Sequence, residues 1–216
     1  MPVRQRQEVQ EVLRGCVNDK PYSESCEQNR APIFAVLEPR VRDCEHLLEI
    51  GSGTGQHAVY FAADLPHLTW QTSDCRVNHA GIRAWLDEAG LPNVERPMAL
   101  DVLEDEWPTG PFDAVFSANT AHIMPTDAVV AMFRGVGALL RDAGSFLLYG
   151  PFNVDGRFTS ESNARFDAWL KQRDPRMGIR DMAWLNELAM DSGLRFREDL
   201  EMPANNRTLV WTKTVG

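Results

Sequence analysis

The stretch Leu47-Leu48-Glu49-Ile50-Gly51-Ser52-Gly53-Thr54-Gly55-Gln56 decides how the rest of the chain is read. An apolar run with the character of a buried strand breaks into three glycines at alternate positions, and an amphipathic segment follows. Strand, glycine turn and helix in that order form a crossover that lets backbone approach a ligand closely. The spacing is G-x-G-x-G, and the position where a dinucleotide fingerprint carries Gly or Ala for tight helix packing is Gln56. An NAD(P)-dependent oxidoreductase is therefore the second reading of this loop.

Outward from the loop, short apolar runs alternate with amphipathic segments, the pattern of parallel strands joined by helices. Strands are expected at His46 to Ile50, Leu68 to Ser73, Arg96 to Leu100, Phe112 to Ser117 and Ser145 to Tyr149. Helices are expected at about Gly55 to Asp64, Asn78 to Ala89 and Thr126 to Leu140. Before the loop, a polar helix is expected over Gln5 to Arg14. Another is expected over Ser23 to Leu37, kinked or split by Pro32 and ended by Pro39. After Tyr149, a polar excursion over 150–180 with a helix around Asn163 to Gln172 has the character of a lid. Asp181 caps a helix to Ser192, and strands at Arg195 to Glu201 and Arg207 to Lys213 flank the turn Pro203-Ala204-Asn205-Asn206. The expected organisation is one domain, 1–216, with a helical cap (1–45), a cofactor-binding core (46–149), a lid and acceptor region (150–180) and a C-terminal helix and hairpin (181–216).

Acidic residues at successive strand ends sharpen the ligand. Glu49, just before the loop, suits the cationic amino end of S-adenosylmethionine better than a pyrophosphate. Asp74, about twenty residues on, is placed to accept hydrogen bonds from ribose hydroxyls. Asp101 ends the third strand, where it can accept from an adenine amino group. With Gly51, Ser52, Gly53, Thr54, Gly55 and Asn119, these form the expected cofactor set.

Composition narrows the partners. The 216 residues carry a formal net charge of -9, which opposes binding to nucleic acid, since that affinity rests on cationic side chains neutralising phosphates. There is no signal-peptide-like or membrane-anchoring run, so a soluble, cytoplasmic protein with a small-molecule partner is expected. Cys16, Cys26, Cys44 and Cys75 have no C-x-x-C spacing and the five histidines form no H-E-x-x-H helix, so free thiols and no metal are expected. No G-x-S-x-G elbow or phosphate-binding G-x-x-x-x-G-K-[ST] loop supports a hydrolase or a nucleotide triphosphatase.

The chain resembles class I S-adenosylmethionine-dependent methyltransferases. More narrowly, it is similar to a mostly bacterial family catalogued as a domain of unknown function, with methyltransferase-like relatives in animals. The likeness runs from about Asn29 to Trp211. It is carried by Asn29-Arg30-x-Pro32-Ile33, Gly51 to Val59, Leu65 to Gln71, Ala118-Asn119-x-x-His122-Ile123, Tyr149 to Phe152, Asp155-Gly156-x-Phe158-Thr159, Ser162-Asn163, Arg173-Asp174-Pro175, Gly178 to Asp181 and Met202 to Asn206. It implies a Rossmann-like α/β fold with a seven-stranded, mostly parallel sheet whose last strand is antiparallel. It also implies cofactor contacts at Glu49, Gly51, Gly53, Asp74 and Asp101. A silent S-adenosylmethionine-binding module has the same signature.

Methyl transfer from a sulfonium asks mainly for alignment, with a base only if the acceptor arrives protonated. His122 and Asn119, just past the fourth strand, are the catalytic candidates. Tyr149 and Phe152, with Phe158, are candidates to wall the acceptor pocket. Arg30, Arg157 and Arg180 are candidates to clamp an acidic group, and Asn205 is a candidate pocket contact.

Overall fold

The computed structural model describes residues 20–215; the helix expected over Gln5 to Arg14 lies outside them, as does Cys16. The chain opens with α1 (Glu24–Val41), followed by β1 (His46–Ile50), α2 (Gln56–Ala63), β2 (Thr69–Asp74), α3 (His79–Ala89), β3 (Val94–Ala99) and β4 (Phe112–Ala118). Then come α4 (Thr126–Leu139), β5 (Leu140–Gly150), β6 (Phe152–Asn153), α5 (Glu161–Arg173), β7 (Arg180–Asp181), α6 (Met182–Asp191), β8 (Leu194–Met202) and β9 (Asn206–Lys213).

Seven strands form one sheet in the order β3-β2-β1-β4-β5-β9-β8. The first five are parallel, and β9 runs antiparallel to both β5 and β8. Side chains along β1 alternate between two cores. Leu47 joins Ile33 and Leu37 of α1 and Phe61 of α2 on one face, while Leu48 and Ile50 join Val129, Phe133 and Val136 of α4 and Leu185 of α6 on the other. Two-sided burial makes parallel strands read as continuous apolar runs, and the strand and helix boundaries expected from 46 onward accordingly hold to within a few residues, apart from β5, which starts five residues earlier at Leu140. The sheet order reverses around β1, where β2 lies on one side and β4 on the other. That switch point is where open α/β sheets hold ligands, at the carboxyl ends of the strands.

Helix α1 departs from expectation, running unbroken through Pro32 and Pro39 to Val41. Each proline removes one helical hydrogen bond. Ile33, Leu37 and Val41 on its inner face are essentially fully buried, however, and burying such side chains stabilises by about 1.5–3 kcal/mol apiece. Arg40, in the last turn, also reaches across to Glu198 on β8, with Nη2 to Oε2 at 2.6 Å. Ser23 caps the first turn by accepting from Cys26 N.

Between β5 and α6, the excursion is pinned by the small parallel pair β6–β7 and carries α5, capped by Ser160. Asp181 caps α6 by accepting from the Ala183 N–H. Among the described residues, no helix is long and apolar enough to cross a membrane.

Candidate functional site

A cavity of about 1490 Å³ opens over the carboxyl ends of β1, β2, β4 and β5. Its floor is the glycine turn, in which Gly51, Gly53 and Gly55 all have positive φ (73°, 59° and 91°), a conformation that side chains resist. The three do different work. A Cβ at Gly51 would sit 2.6 Å from Thr120 Cγ2, and one at Gly55 would press on the α3 backbone at Ile82, 3.2 Å away; one at Gly53 meets nothing within 4 Å. Gly51 and Gly55 therefore let elements pack, while Gly53 presents bare backbone to the cavity.

Asp74 ties the turn to β2. Its Oδ2 accepts the Gly53 N–H at 2.7 Å, and its Oδ1 accepts from Cys75 N at 2.7 Å and Asn78 Nδ2 at 2.8 Å. A carboxylate has roughly four acceptor positions, so Asp74, which lines the cavity, retains room for one further donor such as a ligand hydroxyl. Asp101, also in the lining, accepts from Leu103 N at 3.0 Å and donates its own N–H to Asp105 Oδ2. Val77 and Leu103, 84% and 46% exposed, flank these carboxylates and offer an apolar shelf for a flat base. Neither was legible beforehand, because an exposed aliphatic residue carries no signal until a cavity lies against it.

Ser52 and Thr54 also line the cavity. Ser52 Oγ accepts from Ser73 N, and Thr54 Oγ1 donates to Gln56 Oε1 at 3.0 Å. Gln56 is buried. Its Oε1 accepts the Ser23 N–H at 2.6 Å and its Nε2 donates to Ser23 O at 3.3 Å, so it fastens the start of α1 beside the glycine turn.

Glu49 corrects the expectation of a direct ligand contact, because it does not line the cavity. Strand alternation turns it to the same face as Leu47, where its carboxyl is 2% exposed and accepts from Trp70 Nε1 at 3.0 Å. Burial pushes its pKa up to about 7, against hydrogen bonds from Trp70 and Ser52, with Asp74 adding a small upward push.

At the other end of the cavity stand Asn119 and His122, on the loop after β4. Asn119 has a positive φ of 60° and donates its N–H to Tyr149 O at 2.9 Å, tying that loop to the end of β5. His122 is 6% exposed, with its ring edge-to-face to Phe166 at 5.3 Å. Burial, helped by the nearby Arg180 cation, holds its pKa down at about 4, so the ring is neutral near pH 7. Tyr149 and Asn205 line the same space, and Asn205 Nδ2 donates to Ser162 Oγ.

The other acceptor candidates are corrected. Phe152 is 1% exposed and packs in the core beneath α4 and α6. Arg30 pairs with Glu27 and lies over the Tyr60 ring, with its carbon 4.5 Å from the ring centroid. Arg157 is exposed on the Val154–Arg157 turn, outside the cavity lining, as is Phe158. Arg180 donates to the carbonyls of Ala121, Met124 and Arg176, so it shapes the loop that carries His122 without entering the cavity. Long flexible cations can meet many acceptors, so sequence position alone does not say which one they find.

Asn29 and His57, part of the sequence likeness but given no role there, both line the cavity, with Asn29 Oδ1 2.7 Å from His57 Nε2. Burial, with some help from Arg30, lowers the His57 pKa to about 4, which keeps the ring neutral. Because the facing Asn29 Oδ1 can only accept, the tautomer that makes this bond carries its proton on Nε2.

Together these features give a Rossmann-like class I methyltransferase fold, with its cavity at the sheet's switch point. An O-methyltransferase family protein from Burkholderia thailandensis superposes with a TM-score of 0.76 at 17% identity, covering 86% of this chain and 56% of that one. The S-adenosylmethionine-dependent methyltransferase SibL, in its apo form, gives 0.75 at 21% identity, covering 88% and 56%. Human N-acetylserotonin methyltransferase in complex with SAM gives 0.73 at 14%, covering 89% and 53%. The chain thus spans a little over half the length of each of these structures. Residues 20–213 match the family described as protein of unknown function DUF938, and the chain belongs to that family.

Proposed function

We propose that the protein is an S-adenosylmethionine-dependent methyltransferase acting on a small-molecule acceptor. The observation that carries the proposal is the shared cavity: the open face of Gly53, the carboxylates of Asp74 and Asp101, and the neutral His122 all border it. The residues fit the cofactor in kind. Gly53 admits a ligand against bare backbone, Asp74 has an acceptor position left for a ribose hydroxyl, and Asp101 with Val77 and Leu103 suits an adenine. When bound, S-adenosylmethionine supplies a methyl group on a sulfonium. Asn119 and His122 then border the acceptor side. A neutral imidazole there can take a proton from an acceptor at a ring nitrogen, which the cation could not do.

The activity is tested by incubating the protein with methyl-labelled S-adenosylmethionine and a fractionated metabolite extract. Label is expected to appear in a small organic product. Label that never leaves the cofactor in any fraction, with the cofactor bound, would make the chain a binding module.

A further inference from the structure

The acceptor half of the cavity is bordered by His122, Tyr149, Ser162, Asn163, Phe166 and Asn205. At neutral pH none of these carries a charge, given the depressed His122 and raised Tyr149 pKa values. No Lys or Arg side chain lines the cavity among the described residues. Four cations on the surrounding elements are engaged elsewhere. Arg180 is bound to three carbonyls, Lys171 to Asp167 at 2.7 Å and Arg207 to Asp199 through two nitrogens. Arg173 stacks over Trp169 with its guanidinium carbon 3.9 Å from the ring centroid. An anion entering this half beside S-adenosylhomocysteine, whose sulfur is uncharged, would lose its hydration without gaining a counter-charge from these side chains.

The remaining surface is flat-sided and hydrogen-bonding. The His122 and Phe166 rings meet edge to face, and Phe166 stacks in turn on Trp169 at 5.7 Å, which backs the wall. Asn163, buried in the cavity lining, donates from Nδ2 to Thr159 Oγ1 and Asn205 O, both at 3.0 Å, which fixes its amide.

We infer that the acceptor is an uncharged, ring-bearing hydroxyl compound, selected against its carboxylate analogues by a pocket whose described lining is amides, hydroxyls and aromatic rings without a Lys or Arg. The inference rests on the methyltransferase reading. In the reaction, the hydroxyl oxygen's lone pair forms the new C–O bond as the methyl–sulfur bond breaks and returns its electron pair to sulfur. The hydroxyl proton passes to His122.

The test uses the full chain saturated with S-adenosylhomocysteine, that saturation being confirmed first. Ligand-observed NMR then measures binding of paired methyl esters and free acids of hydroxybenzoic and hydroxycinnamic acids. The esters are expected to bind about tenfold or more tightly than the acids, the scale of leaving one charge without a partner. In Ser162→Arg, which places a cation at the pocket mouth, that preference should shrink or reverse. Acids that bind wild type as well as their esters, or a panel in which no ester binds, would overturn the inference. A protein that cannot be saturated with S-adenosylhomocysteine would instead strike at the methyltransferase reading itself.

Discussion

The Asp74 carboxylate accepts the Gly53 N–H at 2.7 Å, so the end of β2 holds the one turn glycine whose side-chain position is open to the cavity. This bond joins two features that lie 21 residues apart in the chain, so Asp74, which lines the cavity, also braces the backbone of the glycine turn.

Replacing Asp74 by Ala is therefore expected to weaken S-adenosylhomocysteine binding by about 1–3 kcal/mol, the range for losing a hydrogen bond to a charged group. Asp74→Asn, which keeps an acceptor oxygen for Gly53, should lose less. Titration calorimetry on both variants checks this order, and an unchanged affinity in Asp74→Ala would reduce the residue to a brace for Asn78 and the turn.

Gly53→Val is expected to fold and to lose the cofactor. Nothing within 4 Å meets a Cβ there, so no neighbour is displaced. The left-handed backbone costs a branched residue about 1–3 kcal/mol, while the side chain occupies the ligand's space. Circular dichroism with a binding titration separates the two effects; wild-type affinity in a folded variant would remove Gly53 from the site.

Glu49 gives a stability prediction with a defined sign. Its folded pKa of about 7 lies above its ordinary 4.5, so between those values the folded state holds more protons than the unfolded one. Its contribution to stability is thus complete below about pH 4.5 and is lost as pH rises toward 7. Glu49→Gln should flatten that loss. Urea melts from pH 4.5 to 8 check it, and parallel stability curves for the two proteins would show the carboxyl to be ionised throughout.

His122→Asn is expected to lower single-turnover methyl transfer by about a hundredfold or more, the scale of general-base catalysis, with little change in cofactor affinity. In solution such a base would give a rate rising near pH 6.5. Burial beside Arg180 moves the rise down to about pH 4, leaving the rate flat through neutrality. The same shift makes folding less favourable as pH falls from 6.5 toward 4, since the unfolded ring takes up the proton first. A rate–pH profile of the two proteins decides the matter: identical profiles would make His122 structural.

Much of this was legible before the structure. The β1 to β4 core could be read because two-sided burial gives apolar runs, and the glycine turn because only glycine tolerates its backbone. Asp74 and Asp101 could be placed because strand ends converge on the switch point. What could not be read was direction. Glu49 points under the turn by strand alternation counted from Leu47, and Arg30 and Arg180 end on partners that only the folded chain supplies. The continuity of α1 through two prolines followed from the core contacts of Ile33 and Leu37, which lie outside local propensity.

The most direct test of the account is one calorimetric comparison of S-adenosylmethionine, S-adenosylhomocysteine and NADH with the full chain. Both sulfur ligands are expected to bind with dissociation constants on the order of micromolar, and NADH to give no heat. Binding of NADH, or no heat from either sulfur compound, would contradict the assignment of the Gly53–Asp74 cavity to S-adenosylmethionine.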